Sequence, residues 1–215
     1  MRPIQMKESS AAPHLSDSDE DTFVFVGEVL ALDLVNTEVV VRGKPRDLLA
    51  TPEDVGQWWQ AAQRSYPDRD VVQASGVARF DRAALLALKE LRTALRGIFG
   101  ALADGTTPAS AGIDVVNSVL HTGAHALMLT SSGAVQAGYQ AQPGADSMRF
   151  AIALSALRLV RDGERPRLHR CSNDRCVLLF YDTTKSATRR WCSLGCMDRA
   201  RSAKRYRAAK QRGHS

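Results

Sequence analysis

The stretch that decides the fold runs from Cys171 to Lys210: CSNDRCVLLFYDTTKSATRRWCSLGCMDRARSAKRYRAAK. It holds all four cysteines of the chain. Cys171 and Cys176 have four residues between them, fifteen residues follow, and Cys192 and Cys196 have three between them. A close pair in a tight turn offers two sulfurs to one ion, and two such pairs complete the tetrahedral shell that zinc prefers. Four thiolates leave no open coordination position, so a site of this kind is structural and not catalytic. Two disulfides are the alternative in an oxidising compartment, whereas a reduced cytoplasm favours metal for clustered pairs.

The residues between the pairs fit a small metal module. Val177–Tyr181 reads as a short strand, Asp182–Ser186 as a polar turn, and Arg189-Arg190-Trp191 as the return of a hairpin toward the second pair. Ser193 is placed to cap a helix starting at about Leu194. Cys196 then lies in the first helical turn, where exposed backbone amides favour an anionic sulfur. A knuckle, a hairpin and a ligand-bearing helix make a treble-clef-like unit. So small a unit cannot stabilise itself by burial alone, which couples metal binding to its folding.

The helix beyond Cys196 carries Arg199, Arg201, Lys204, Arg205, Arg207, Lys210 and Arg212. At ~3.6 residues per turn these surround most of the helix, with Arg201, Arg205 and Arg212 on one side. Like charges this dense repel, and a polyanion relieves that repulsion. Phosphate is the obvious candidate, and Arg also reads guanine in the major groove. A solvated cationic helix, or one docked on the acidic remainder of the chain, is the alternative. Charge is segregated accordingly: residues 167–215 hold thirteen Lys and Arg against three acids, while residues 1–166 hold sixteen against twenty.

Working outward, Asp162-Gly163-Glu164-Arg165-Pro166 breaks the chain and separates this module from the rest. Residues 1–21 are polar, rich in Ser and Asp, aperiodic and expected to be disordered. Residues 22–163 form a mostly helical domain with a few short strands, so the expected class is mostly α (α+β). Phe23–Val26 reads as a strand, with a helix over about Val29–Thr37; continuous β structure is the rival, because Val is frequent. Arg42–Pro45 reads as a turn and Asp47–Leu49 as a brief strand. Thr51-Pro52-Glu53-Asp54 starts a helix running to about Arg64. Asp81 caps the clearest helix, Arg82 to about Ala103, whose Leu85, Leu88, Leu91, Leu95, Ile98, Phe99 and Leu102 form one apolar stripe. Further helices are expected over Ser110–His121 and Asp146–Arg161. A hairpin is expected around Ser131-Ser132-Gly133.

The quoted stretch resembles the CGNR-type zinc finger, in which a Cys pair precedes a Phe-x-Asp hairpin, Arg-Arg-Trp-Cys-Ser, Cys-Gly-Asn-Arg and a basic helix. The counterparts here are Phe180, Asp182, Arg189, Arg190, Trp191, Cys192, Ser193, Cys196 and Arg199. Met197-Asp198 stands where Gly-Asn is usual. Upstream, LALDLVNTEVVVRGKPRDLLATPEDVGQWW (residues 30–59) is similar to the start of the ABATE domain, with Leu32–Thr37 matching its Leu-Asp-Phe-Val-Asn-Thr motif. That family is regarded as stress-related bacterial transcription regulators. The resemblance implies a DNA-binding regulator whose finger, at residues 167–212, contacts DNA and whose N-terminal domain senses a ligand or partner. The candidate metal ligands are Cys171, Cys176, Cys192 and Cys196, holding Zn2+. The candidate DNA contacts are Arg189, Arg190, Arg199, Arg201, Lys204, Arg205, Arg207 and Lys210.

Asn36, Thr37 and Arg92 are polar groups set among apolar neighbours, and buried polar groups need partners. One reading makes them a pocket for a small ligand, with Arg92 clamping a carboxylate or phosphate. The other satisfies them internally, with Asn36 and Thr37 on backbone and Arg92 on Asp33 or Asp47. His121 and His125 read as ordinary loop histidines, Trp58 and Trp59 as core and surface of one helix. No nucleophile elbow, Gly-rich phosphate loop or His-Glu-x-x-His pattern is present, so no enzyme is expected. No run of ~18 apolar residues suggests a membrane span. The N-terminus lacks a signal-peptide pattern, so a cytoplasmic location is expected. A single small module buries little surface on DNA, so a homodimer is expected for tight binding. An RNA- or protein-interaction module is the alternative function.

Overall fold

A computed structural model describes residues 23–66, 80–129 and 135–212. The expected disordered segment, residues 1–21, lies outside them. The first helix, α1 (Leu30–Val35), is buried at every position. That explains why its sequence has no helical period: a segment surrounded by protein shows no polar face. A hairpin follows, with β1 (Glu38–Val41) antiparallel to β2 (Lys44–Asp47). Its turn is only Arg42 and Gly43, both left-handed with φ of 50° and 79°, as a two-residue turn between right-twisted strands requires. The expected turn is therefore shortened, with Lys44 and Pro45 in β2 and the strand ending at Asp47.

α2 (Pro52–Ser65) starts with a complete capping box: Thr51 Oγ1 accepts from the Asp54 amide, and Asp54 accepts from the Thr51 amide. It buries Val55, Trp58, Trp59 and Ala62, one helical stripe, so Trp59 belongs to the core and not to the surface. α3 (Arg82–Ala103) begins where Asp81 Oδ1 accepts from the Ala84 amide at 2.8 Å. Its expected stripe is buried, with Leu102 partly so. α4 (Ser110–Leu120), the hairpin β3 (Gly123–Leu129) with β4 (Val135–Ala141), and α5 (Ser147–Asp162) complete the domain. The expected Ser131–Gly133 turn lies outside the described residues. His125 sits on β3, edge-on to Tyr139, and not in a loop. α3 is the central element, packing against α1, α2, α4 and α5.

A 3-10 turn at Arg165–Arg167 leads into the cysteine module: β5 (Leu168–Arg170), β6 (Leu179–Tyr181) and α6 (Leu194–Arg212). β6 pairs with β5, which precedes Cys171, and not with the segment approaching Cys192. The hairpin therefore encloses the first cysteine pair in its turn, where the sequence suggested a hairpin between the two pairs. The reason lies at Asp182. Its fully buried carboxylate accepts from the Thr184 amide and hydroxyl and from the Arg189 amide, which coils residues 182–189 into a loop that cannot extend as a strand. Burial raises the Asp182 pKa, and these bonds outweigh it, so the carboxyl titrates below its ordinary value.

The fold is thus mostly helical, with three two-stranded sheets among the described residues. No described helix is long and apolar enough to cross a membrane.

Candidate metal centre and basic helix

β5 and β6 present Cys171 and Cys176 on a tight turn, in which the Cys171 amide donates to Leu178 O at 3.0 Å and the Cys176 amide to Asn173 O at 2.8 Å. The second pair comes from the start of α6, where Ser193 Oγ accepts from the Cys196 amide at 3.3 Å, the expected cap. All four Sγ atoms lie within 4.8 Å of one another. Cys176 Sγ is 3.7 Å from Cys192 Sγ, and Cys192 Sγ is 3.5 Å from Cys196 Sγ. Four sulfurs at ~2.3 Å from a central zinc stand about 3.8 Å apart along a tetrahedron's edges, so the cluster fits that ion. Three of the cysteines are buried, and the structure pairs none of them in a disulfide.

The sulfurs stand in a field built to hold negative charge. The Cys192 amide donates to Cys171 Sγ at 3.5 Å, and Arg199 Nη2 to Cys196 Sγ at 3.3 Å. Hydrogen bonds from Cys171 and the other two thiols, with Arg199 adding to them, hold Cys196 well below the usual thiol range. Bonding with Cys176 and then Cys192 brings Cys171 down to about 7. The same contacts push Cys176 and Cys192 up. Thiols this close cannot all ionise unaided, and a bound divalent cation supplies the neutralising charge that lets four thiolates coexist.

The candidate DNA-contacting cations divide in two. Arg189 is built into the module: its guanidinium lies 4.6 Å from the Phe180 ring centroid, donates to Trp191 O and Cys192 O, and stands 3.7 Å from Glu28. Arg199 is held on the cysteine cluster, and Arg207 pairs with Asp174 of the knuckle at 3.2 Å. Arg190, Arg201, Lys204, Arg205 and Lys210 are exposed, Arg190 lying over the Trp191 ring. From Arg201 to Gln211 nearly every residue of α6 faces water, so the helix projects from the module with little packing against it, the exposed Arg207–Asp174 pair being one contact.

The other candidate cluster joins the two halves of the molecule. Asn36 Nδ2 donates to Leu179 O at 2.8 Å, and its Oδ1 accepts from the Leu179 amide at 3.0 Å. The side chain thus imitates a neighbouring strand and pairs with β6. Thr37 Oγ1 donates to Leu34 O and accepts from Arg92, 2% exposed, which forks onto both carboxylate oxygens of Asp47 at 2.6 and 2.8 Å. Of the two partners weighed for Arg92, the structure places Asp47 there. Asp33 instead accepts from the Gly27 amide and the Tyr66 hydroxyl. Asn36, Thr37 and Arg92 are therefore brought close along one buried seam, each on protein partners.

Sequence reasoning missed most of that seam. Arg96, one turn beyond Arg92, donates to Val35 O and, at 3.3 Å, to Val177 O, and pairs with Glu38 at 2.6 Å. Gly27 O accepts from the Tyr181 amide, and a Cβ at Gly27 would lie 2.6 Å from Leu32 Cβ, so only glycine fits. Val24 and Val26 pack into the small core that contains Cys171, Cys192 and Cys196, together with Leu178 and Phe180. Arg170 forks onto Asp104 at the end of α3. The only sequence signals were glycine among apolar residues and Arg96 at i+4 from Arg92.

A family model described as "putative stress-induced transcription regulator" matches residues 28–163. The chain belongs to this ABATE family. The CGNR zinc-finger model matches residues 167–210. No curated protein matches the chain. The boundary between the ABATE domain and the finger is sequential and not physical: Leu168, Leu179 and Tyr181 of the finger sit in the ABATE core, and Val24 and Val26, just before the ABATE-matched residues, sit in the finger's.

Proposed function

We propose that the chain is a DNA-binding transcription regulator, with zinc held by Cys171, Cys176, Cys192 and Cys196 as a structural ion. The observation that carries this reading is α6, a cationic helix anchored at one end by the cysteine cluster and exposed along the rest. Helices without an apolar face are marginal in water, and seven like charges make this one more so. A phosphate backbone stabilises it by neutralising that charge. In this reading the chain is a cytoplasmic binding protein to which no catalysis is assigned, and a homodimer supplies the second half-site. The ABATE domain senses a ligand or a partner and sets the finger's orientation. What supports that part is the Asn36–Leu179 seam, through which any shift of α1 moves β6.

The test is duplex binding by the full metal-loaded chain at several salt concentrations. With Arg201, Lys204, Arg205 and Lys210 on phosphates, the log–log slope is about −3.6, at roughly −0.9 per contact. The double reversal Arg201→Glu, Arg205→Glu weakens binding to every duplex. Affinity indifferent to both salt and reversal overturns the reading. Preference for RNA or an acidic peptide over duplex in competition replaces it with an interaction module.

A further inference from the structure

The inner side of α6 is fixed by Cys196, buried in the metal cluster, and by Arg207, paired with Asp174. At ~100° per residue the opposite side presents Leu194, Asp198, Arg201 and Arg205. Leu194 is 60% exposed, and the other three are exposed as well. Asp198 is the one acid on the helix. It makes no hydrogen bond or ion pair among the described residues, and the cap belongs to Ser193. An exposed carboxylate amid an arginine face is unfavourable for a surface that only grips phosphates, because it repels them at contact range.

Resting on the DNA-binding reading above, we propose that this face enters the major groove of duplex DNA and that Asp198 selects a cytosine there. An α-helix of ~10–12 Å diameter fits a groove ~12 Å wide, whereas the deep, narrow major groove of A-form RNA does not admit it. In the major groove cytosine presents the N4 amino group as a donor with no acceptor beside it, a match for a carboxylate. Adenine sets its N7 acceptor next to its N6 donor and so repels the second carboxylate oxygen. Guanine and thymine present acceptors there. Arg201, one turn on from Asp198, reaches a neighbouring guanine O6 and N7 or the adjoining phosphate, and Arg205 continues the track.

Selection from a randomised duplex pool by the full, zinc-loaded chain tests this, using wild type, Asp198→Ala and Asp198→Asn, with zinc content and circular dichroism confirming intact folding. The wild type enriches a C·G pair at one position by roughly 5- to 150-fold, the range for a good base contact. Asp198→Ala loses enrichment at that position alone and binds random duplex more tightly, since the repulsive charge is gone. Asp198→Asn moves the preference there to adenine, which offers the paired acceptor and donor an amide matches. If Asp198→Ala selects the same bases at every position as wild type, the assignment of Asp198 is wrong while DNA binding stands. If the wild type binds no duplex with a salt-dependent affinity, both fall together.

Discussion

α3 and α6 are of similar length, 22 and 19 residues, and both carry arginines, yet they use them in opposite ways. α3 has an apolar stripe that seats it at the centre of the ABATE core, and its Arg92 and Arg96 point into protein. There they meet Glu38 and Asp47, which the β1–β2 register sets directly opposite each other. Two acids across a hairpin repel, and the two arginines one turn apart, joined by Lys89 at 2.9 Å, turn that repulsion into a network. Burial raises the Asp47 carboxyl, but the hydrogen bonds from Arg92 and Lys89 outweigh it and hold it well below the usual carboxylate range. α6 has no apolar stripe, and its Arg201 and Arg205 have no partner among the described residues. The contrast teaches that an arginine's surroundings, and not its presence, decide whether it holds a fold or stands open to solvent.

That contrast can be broken in graded steps. The largest effect is expected from Cys192→Ser, which removes a buried ligand: elemental analysis falls from about one zinc per chain toward none, and the thermal midpoint of the whole chain drops. Next, Arg92→Met removes the buried guanidinium from Thr37 and Asp47 while Lys89 and Arg96 still cover Asp47 and Glu38, and costs ~2–3 kcal/mol of stability by urea denaturation. Arg205→Ala on the projecting helix leaves the unfolding free energy within about 0.5 kcal/mol of wild type and, on the function proposed above, lowers only DNA affinity. Similar losses of stability from both would erase the distinction. Asn36→Ala removes two buried backbone partners from Leu179, at ~2–3 kcal/mol, and loosens the finger from α1, visible as faster amide exchange in β6. Val24→Ala with Val26→Ala costs less and is read kinetically, as several-fold faster zinc transfer to a chelator with helix content unchanged.

A further contrast is pH dependence at Asp33, whose carboxyl burial pushes up to about 7 against hydrogen bonds from Tyr66 and Gly27. The folded chain then keeps a proton that the unfolded chain loses near 3.8. Its contribution to stability is full below that value and is lost as pH rises toward about 7. Asp33→Asn should flatten this slope, so the two proteins' urea midpoints, compared at pH 5 and pH 8, differ most in favour of wild type at the lower pH. Parallel pH profiles would contradict it.

Much of this was legible in the sequence because it is local. Thr51, Asp81, Asp146 and Ser193 announce helix starts through bonds spanning three residues, and the two cysteine pairs announce their cluster by spacing. α1 was ambiguous because complete burial erases periodicity. The β5–β6 pairing was hidden because Asn36, 143 positions away from Leu179, and the Asp182 loop fix it. The division of the cations was hidden for the same reason: Arg189 and Arg190 are neighbours in sequence, and only the place of Phe180 and Glu28 separates a built-in arginine from an exposed one.

The seating of Val24 and Val26 has a practical bearing on anyone who treats the finger as a transferable cassette. Excising residues 167–210 at the family boundary would carry the four cysteines away with their floor missing, leaving an oily patch open to water and self-association. A portable version has to graft the pentapeptide Phe23–Gly27 back onto the cassette through a linker, or rebuild that side with polar residues.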